Sequence, residues 1–128
     1  MARPAGPGTA DGVPDGMLLA VLHARLVIHR LLIDGGEVPV KFATVVAVAR
    51  AESEQTDWEV VAECTAEVSS GLGRCRLDMV CITGATEDGA LEFSDLSGEA
   101  VVVRFVDRTI VLRGDGPLDG LSIDQLQG

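Results

Sequence analysis

The feature that most constrains the fold is a strict alternation of apolar and polar side chains from Asp57 to Val68. The even-numbered positions, from Trp58 onward, are all apolar, and the odd-numbered positions are polar or charged except Val61. A period of two residues is typical of a β-strand with one face on a core and the other in water. The segment therefore predicts an antiparallel strand.

A second alternating segment, Arg74 to Thr83, follows a short loop rich in serine and glycine. The short loop predicts a hairpin between the two segments, and the apolar faces must then point to the same side of the sheet. That register sets apolar residues opposite each other and glutamate opposite arginine: Cys64 opposite Leu77 or Met79, and Glu67 opposite Arg74 or Arg76. The cysteines Cys64, Cys75 and Cys81 are then not directly opposite one another, which predicts buried reduced thiols.

Strand-forming runs separated by turn residues continue on both sides of this pair. The predicted strands are Val38–Arg50, Ala90–Asp95, Glu99–Val106 and Arg108–Arg113, with turns at 34–35, 88–89, 96–98 and 107–108.

The segment Met17–Ile33 fits two interpretations. As a strand, it carries one apolar face from Leu18 to Ile28, with His23, Arg25 and His29 opposite. As a helix, its polar residues scatter around the axis and define no solvated face, so the strand is favoured.

These segments predict an all-β fold, a small antiparallel barrel of about seven or eight strands or a sandwich. The alternative is an α+β fold in which an N-terminal helix covers an antiparallel sheet. Residues 1–16 hold three prolines and four glycines and predict a disordered tail, followed by a single β-rich domain over residues 17–128.

Charge and composition exclude several functions. Acidic residues outnumber basic ones 20 to 10, for a net charge of -10, and aromatic residues make up only 3% of the chain. Binding to nucleic acid or to an anionic membrane is disfavoured, because both need a basic surface. The cysteines lack metal-ligand spacing, so neither a metal nor a cofactor is predicted. We expect a cytoplasmic protein.

Two strands depart from clean alternation, since Val38–Ala49 and Ala100–Val106 are apolar on both faces. A strand buried on both sides needs a second cover, which a partner copy, a docked terminus or a barrel interior would supply. Polar or aromatic residues near such a surface are the candidate ligand-binding residues: Lys41, Trp58, Arg104 and His23. Catalytic residues cannot be assigned, because no nucleophile or acid/base motif is present.

The succession of a Pro/Gly-rich tail and short aliphatic strands (Val38–Arg50, Trp58–Val68, Cys75–Cys81 and Val101–Arg113) resembles small actinobacterial β-barrel proteins, some of which are cyclases of polyketide pathways. The resemblance implies a barrel that binds an apolar small molecule in its interior and promotes cyclisation or isomerisation by conformational restraint. The alternative is a non-enzymatic module that forms a homodimer or docks on another protein.

Overall fold

The computed structural model describes residues 21–50, 56–66 and 73–122, so the predicted tail over residues 1–16 lies outside the described residues. Within this part the chain forms seven strands and no helix: β1 (Val21–Ile33), β2 (Gly36–Val38), β3 (Val40–Arg50), β4 (Thr56–Cys64), β5 (Arg74–Ala85), β6 (Leu91–Val106) and β7 (Thr109–Gly114). The all-β prediction is confirmed, and the helical alternative for the first apolar segment is wrong over Val21–Ile33.

Six of these strands close an antiparallel barrel. The order around it is β1, β3, β4, β7, β6 and β5, and β5 pairs with β1 to complete the circle. Strand β2 is an extra strand that forms a hairpin with the end of β1. Closure leaves no free edge among the six barrel strands, which excludes the predicted sandwich.

The predicted hairpin between the two alternating segments is wrong. Strand β4 pairs with β3 and β7, whereas β5 pairs with β6 and β1. The observed partners differ accordingly: Cys64 lies opposite Val40, Leu77 opposite Ile33 and Gly98, Met79 opposite Leu31 and Leu96, Arg74 opposite Val101, and Arg76 opposite Glu99. Glu67 lies outside the described residues. Alternation shows which face of a strand points inward, but it does not identify the neighbouring strand.

Strand β6 corrects a second prediction. The turn predicted at 96–98 is absent, and Leu91–Val106 is one strand of 16 residues. Leu96 is fully buried. Close packing inside the barrel requires a glycine at position 98. A Cβ atom on Gly98 would lie 2.6 Å from Cζ2 of Trp58, so the ring requires a residue without a side chain there.

The predicted turns at 34–35, 88–89 and 107–108 are confirmed. Asp34 and Asp107 take positive φ values of 50° and 57°, which aspartate tolerates better than most residues. Pro39 divides the predicted strand Val38–Arg50, so β2 ends just before it and β3 begins just after it. Proline cannot donate a hydrogen bond to a sheet, which explains the break.

The inward-facing side chains of the barrel strands fill its interior. The largest fully buried side chains come from β1, β3, β4, β5, β6 and β7: Leu31, Val45, Val60, Leu77, Met79, Cys81, Leu96, Ile110 and Leu112. Six strands give a barrel narrow enough for its own side chains to occupy. The second apolar surface implied by the sequence therefore lies on the outside.

The three cysteines are free and buried, in agreement with the predicted reduced thiols. Burial raises the pKa of all three thiols, because a thiolate is poorly solvated in the core. The effect is largest for Cys81, where burial, with a smaller contribution from Asp95, raises the pKa to about 11 from 9.0.

We expect the free energy of unfolding to fall as the pH rises from 9 to 11. The Cys81 thiol ionises near pH 9.0 in the unfolded chain but near 11 in the barrel, so alkali favours the unfolded state. Between pH 9 and pH 11 this difference in pKa corresponds to a loss of about 2 kcal/mol. The thiols of Cys64 and Cys75, whose pKa values are also raised by burial, add to this loss in the same direction.

Urea unfolding under reducing conditions at pH 8.5, 10 and 11 measures this loss. The Cys81→Ala variant should be less stable at pH 8.5 but should lose less stability on going to pH 11. An equally steep decline in the variant would show that the Cys81 thiol is not responsible.

Candidate interaction face

The four candidate ligand-binding residues do not meet in the barrel interior. His23, Lys41 and Arg104 have exposed side chains, and only Trp58 is buried. Lys41 lies at an irregularity near the start of β3, with its ammonium group 4.0 Å from Glu63. Arg104 follows a bulge in β6, which turns its side chain to the outer surface.

Trp58 closes one end of the barrel. Its ring packs on Gly98 of β6 and Gly114 of β7, both of which leave room by having no side chain. The indole N–H donates a hydrogen bond to the carbonyl oxygen of Gly116 over 2.9 Å. Residues 115–119 then run beside β6, where Ser97 and Asp119 exchange backbone hydrogen bonds. The aromatic ring is thus a core anchor held by the C-terminal segment.

A depression of about 540 Å³ lies on the outer side of β3, β4 and β7, next to this end of the barrel. Two valines, two carboxylates, an arginine, the tryptophan and a glycine line it: Val46, Val48, Asp57, Glu59, Arg113, Trp58 and Gly114. Inside it, the guanidinium of Arg113 lies 3.6 Å from the carboxylate of Glu59. The depression is therefore apolar on its β3 side and negatively charged on its β4 side.

The outward residues of β3 between Phe42 and Val48 are all uncharged. Phe42 is 52% exposed and Val46 is 37% exposed, which is high for large apolar side chains. Thr44 points outward between them but is only 7% exposed, because Val27 and Val61 stand at the register positions on its two sides. The side chains of Val27, Thr44 and Val61 thus lie side by side on the outside of the barrel.

The neighbours of β3 carry opposite charges along their outward faces. Strand β1 contributes the basic residues His23 and Arg25, strand β4 contributes the acidic residues Asp57 and Glu59, and the next residue of the register on each strand is a valine. The register gives three rows across the strands: His23–Val48–Asp57, Arg25–Val46–Glu59 and Val27–Thr44–Val61. We call these nine residues the β1–β3–β4 face. An uncharged column on β3 lies between two basic residues on β1 and two acidic residues on β4.

The sequence shows that β3 is apolar on both faces and that β1 carries polar residues. It does not show that these residues form one face. The signal was present in the alternation, since Asp57 and Glu59 are the polar positions of the clearest strand. The alternation does not show that β4 pairs with β3, because the short loop after β4 predicts a hairpin with β5 instead.

The other segment that is apolar on both faces, Ala100–Val106, also has outward residues that are exposed to solvent. Val103 is 46% exposed and Val106 is 50% exposed, on the β6 side of the barrel. Phe93 is exposed as well, and its ring lies 5.1 Å from that of His29. These residues lack the flanking columns of opposite charge that distinguish the β1–β3–β4 face.

Among the described residues, no group of three or more histidine, cysteine, aspartate or glutamate side chains could hold a metal ion. Over the same residues, no helix is long and apolar enough to cross a membrane. No protein-family model, curated protein or solved structure matches the chain.

Proposed function

We propose that this protein is a non-enzymatic interaction module that forms a homodimer through the β1–β3–β4 face. The observation that carries the proposal is the uncharged outward column of β3, in which Val46 is left in water and which the exposed Phe42 extends beyond the nine residues. Because the barrel fills its interior with its own side chains, the second apolar surface is available to a partner and not to an enclosed ligand.

A second copy of the chain is the partner that the face fits best. The whole chain carries a net charge of -10, so two copies repel each other over most of their surfaces. The β1–β3–β4 face differs from this average, because Arg25 offsets one of its two carboxylates, which are those of Asp57 and Glu59. When two such faces meet, their uncharged centres pack together and the basic edge of each lies against the acidic edge of the other, which suits the symmetric pairing of most homodimers.

The variant Val46→Glu tests the proposal. In the homodimer Val46 lies near the centre of the interface, and a glutamate there would be buried without a partner. We expect the wild-type protein to sediment as a dimer at micromolar concentration, and the variant to dissociate with a Kd at least about 100-fold higher. Sedimentation velocity over a concentration series measures both.

Val103→Glu is the matched control, because Val103 is a similarly exposed valine on β6, outside the face. It should leave the dimer intact. A dimer unaffected by Val46→Glu would place the interface elsewhere and overturn the proposal.

A wild-type monomer would favour a second candidate function, the binding of an apolar small molecule. The depression of about 540 Å³ supports that candidate, since its volume suits a small ligand and Trp58 and Val46 border it. The ligand would then bind on the outer side of the barrel, which differs from the interior site implied by the resemblance to polyketide cyclases.

A further inference from the structure

We propose, on the basis of the homodimer above, that Arg25 of each copy binds Glu59 of the other and so sets one register for the dimer. The two-fold axis runs along β3, between the two faces. Each copy then contributes the same two ends to the interface, a basic end on β1 and an acidic end on β4.

The arrangement of the rows leads to this axis. A two-fold rotation about a line along β3 keeps each row at the same height and exchanges its two ends. It therefore sets Arg25 of one copy opposite Glu59 of the other, and Val27 opposite Val61. The residues of β3 meet their own copies, so Val46 packs on Val46. The same rotation brings His23 opposite Asp57, and every row is complementary to itself.

The pairing between copies has no equivalent within one chain. Arg25 and Glu59 lie on either side of Val46, with β3 between them, which separates their backbones by about 10 Å. In the part of the chain that the structure describes, Arg25 is exposed and has no ion-pair partner. An arginine from a facing strand, by contrast, approaches from above the sheet, where the carboxylate points.

The depression is shaped to receive that arginine. Val46 and Val48 provide an apolar wall for the methylene groups of the arginine side chain, and Glu59 provides the carboxylate. The guanidinium of Arg113 already lies 3.6 Å from the Glu59 carboxylate, which still has acceptor sites for a second guanidinium. The long side chains at the edges also bridge the gap that opens where two convex barrels curve apart.

Charge reversal in two separate chains tests the inference. Arg25→Glu sets two glutamates against each other at both ends of the dimer, and Glu59→Arg sets two arginines against each other. We expect each variant alone to dimerise at least about 10-fold more weakly than wild type. Mixed in equal amounts, the two variants restore both contacts, and we expect a heterodimer with nearly wild-type affinity.

Native mass spectrometry identifies the heterodimer by mass, and sedimentation gives its Kd. A change in the folding of one chain cannot produce this rescue, because neither chain carries both substitutions. The doubly substituted chain, R25E/E59R, should form a homodimer. Arg76→Glu mixed with Glu99→Arg is the control, since that pair lies 3.4 Å apart on another part of the barrel and should not affect dimerisation.

The outcomes separate this inference from the proposed function. A wild-type dimer that survives Arg25→Glu, or two weakened variants that do not rescue each other, would overturn the pairing of Arg25 with Glu59 and leave the homodimer standing. A wild-type monomer would overturn both. Should a charge reversal prevent folding, Arg25→Gln and Glu59→Gln remove the attraction without adding repulsion, and each must still weaken the dimer.

Discussion

Replacing Gly114 with alanine is expected to destabilise the barrel by about 2–3 kcal/mol, although only one methyl group is added. The new Cβ would lie inside van der Waals contact of the Trp58 indole, at Cε2 and Nε1. Trp58 has little freedom to retreat, because Gly98 borders the same ring and the indole N–H is bound to the carbonyl of Gly116. Thermal or urea unfolding measures the loss.

Gly36→Ala is the matched control for this substitution. Gly36 is also a strand glycine, but a Cβ there would lie 3.5 Å from the nearest atom, the carbonyl oxygen of Ile33. It should change the free energy of unfolding by less than about 0.5 kcal/mol. In a Trp58→Phe background the cost of Gly114→Ala should fall, since the smaller ring leaves room. An undiminished cost would show that the indole is not what excludes the methyl group.

Much of the fold follows from the alternation of side chains. The strand over Asp57–Val68 places Trp58 and Cys64 on the core, and both are buried in the barrel. Two segments of the sequence are apolar on both faces, which predicts a second apolar surface. In the structure, β3 and the end of β6 do expose apolar side chains. The period of the apolar residues indicates whether each side chain is buried or exposed, and this depends mainly on its neighbours along the strand.

The pairing of strands could not be predicted in the same way, because it depends on closure. Strand β4 is followed along the chain by β5, yet the two strands pair with different neighbours. Alternation is equally consistent with either partner, provided that the apolar faces match. Gly98 illustrates the same limit: a glycine in the sequence indicates a turn, and only the position of Trp58 shows that it is required within a strand.

The outward residues of the β1–β3–β4 face follow from the alternation in the sequence. The registers that align the three strands do not. Irregularities between Ile28 and Arg30 in β1 and between Val40 and Phe42 in β3 shift one strand against the next. A shift of one residue exchanges the two faces of a strand, so it decides which side chains are exposed. The position of such a bulge depends on contacts across the barrel.

The bulge in β1 predicts that two adjacent leucines, Leu31 and Leu32, differ strongly in their contribution to the free energy of unfolding. Alternation continued from Ile28 would point Arg30 and Leu32 into the core. The bulge reverses this, so Leu31 is fully buried opposite Met79 and Leu32 is only half-buried. Arg30 then reaches the surface, where its guanidinium lies 3.1 Å from Glu37.

We expect Leu31→Ala to cost about 3–5 kcal/mol, because it leaves a cavity where β5 closes the barrel on β1. Leu32→Ala removes the same atoms from the same strand and should cost less than about 1 kcal/mol, since Leu32 points away from the core. Urea unfolding of the two variants at equal protein concentration gives both values. Equal costs, or a larger cost at Leu32, would mean that alternation runs unbroken through β1 and that the bulge is misplaced. Because the residue type, strand and substitution are the same, the contrast depends only on the direction in which each side chain points.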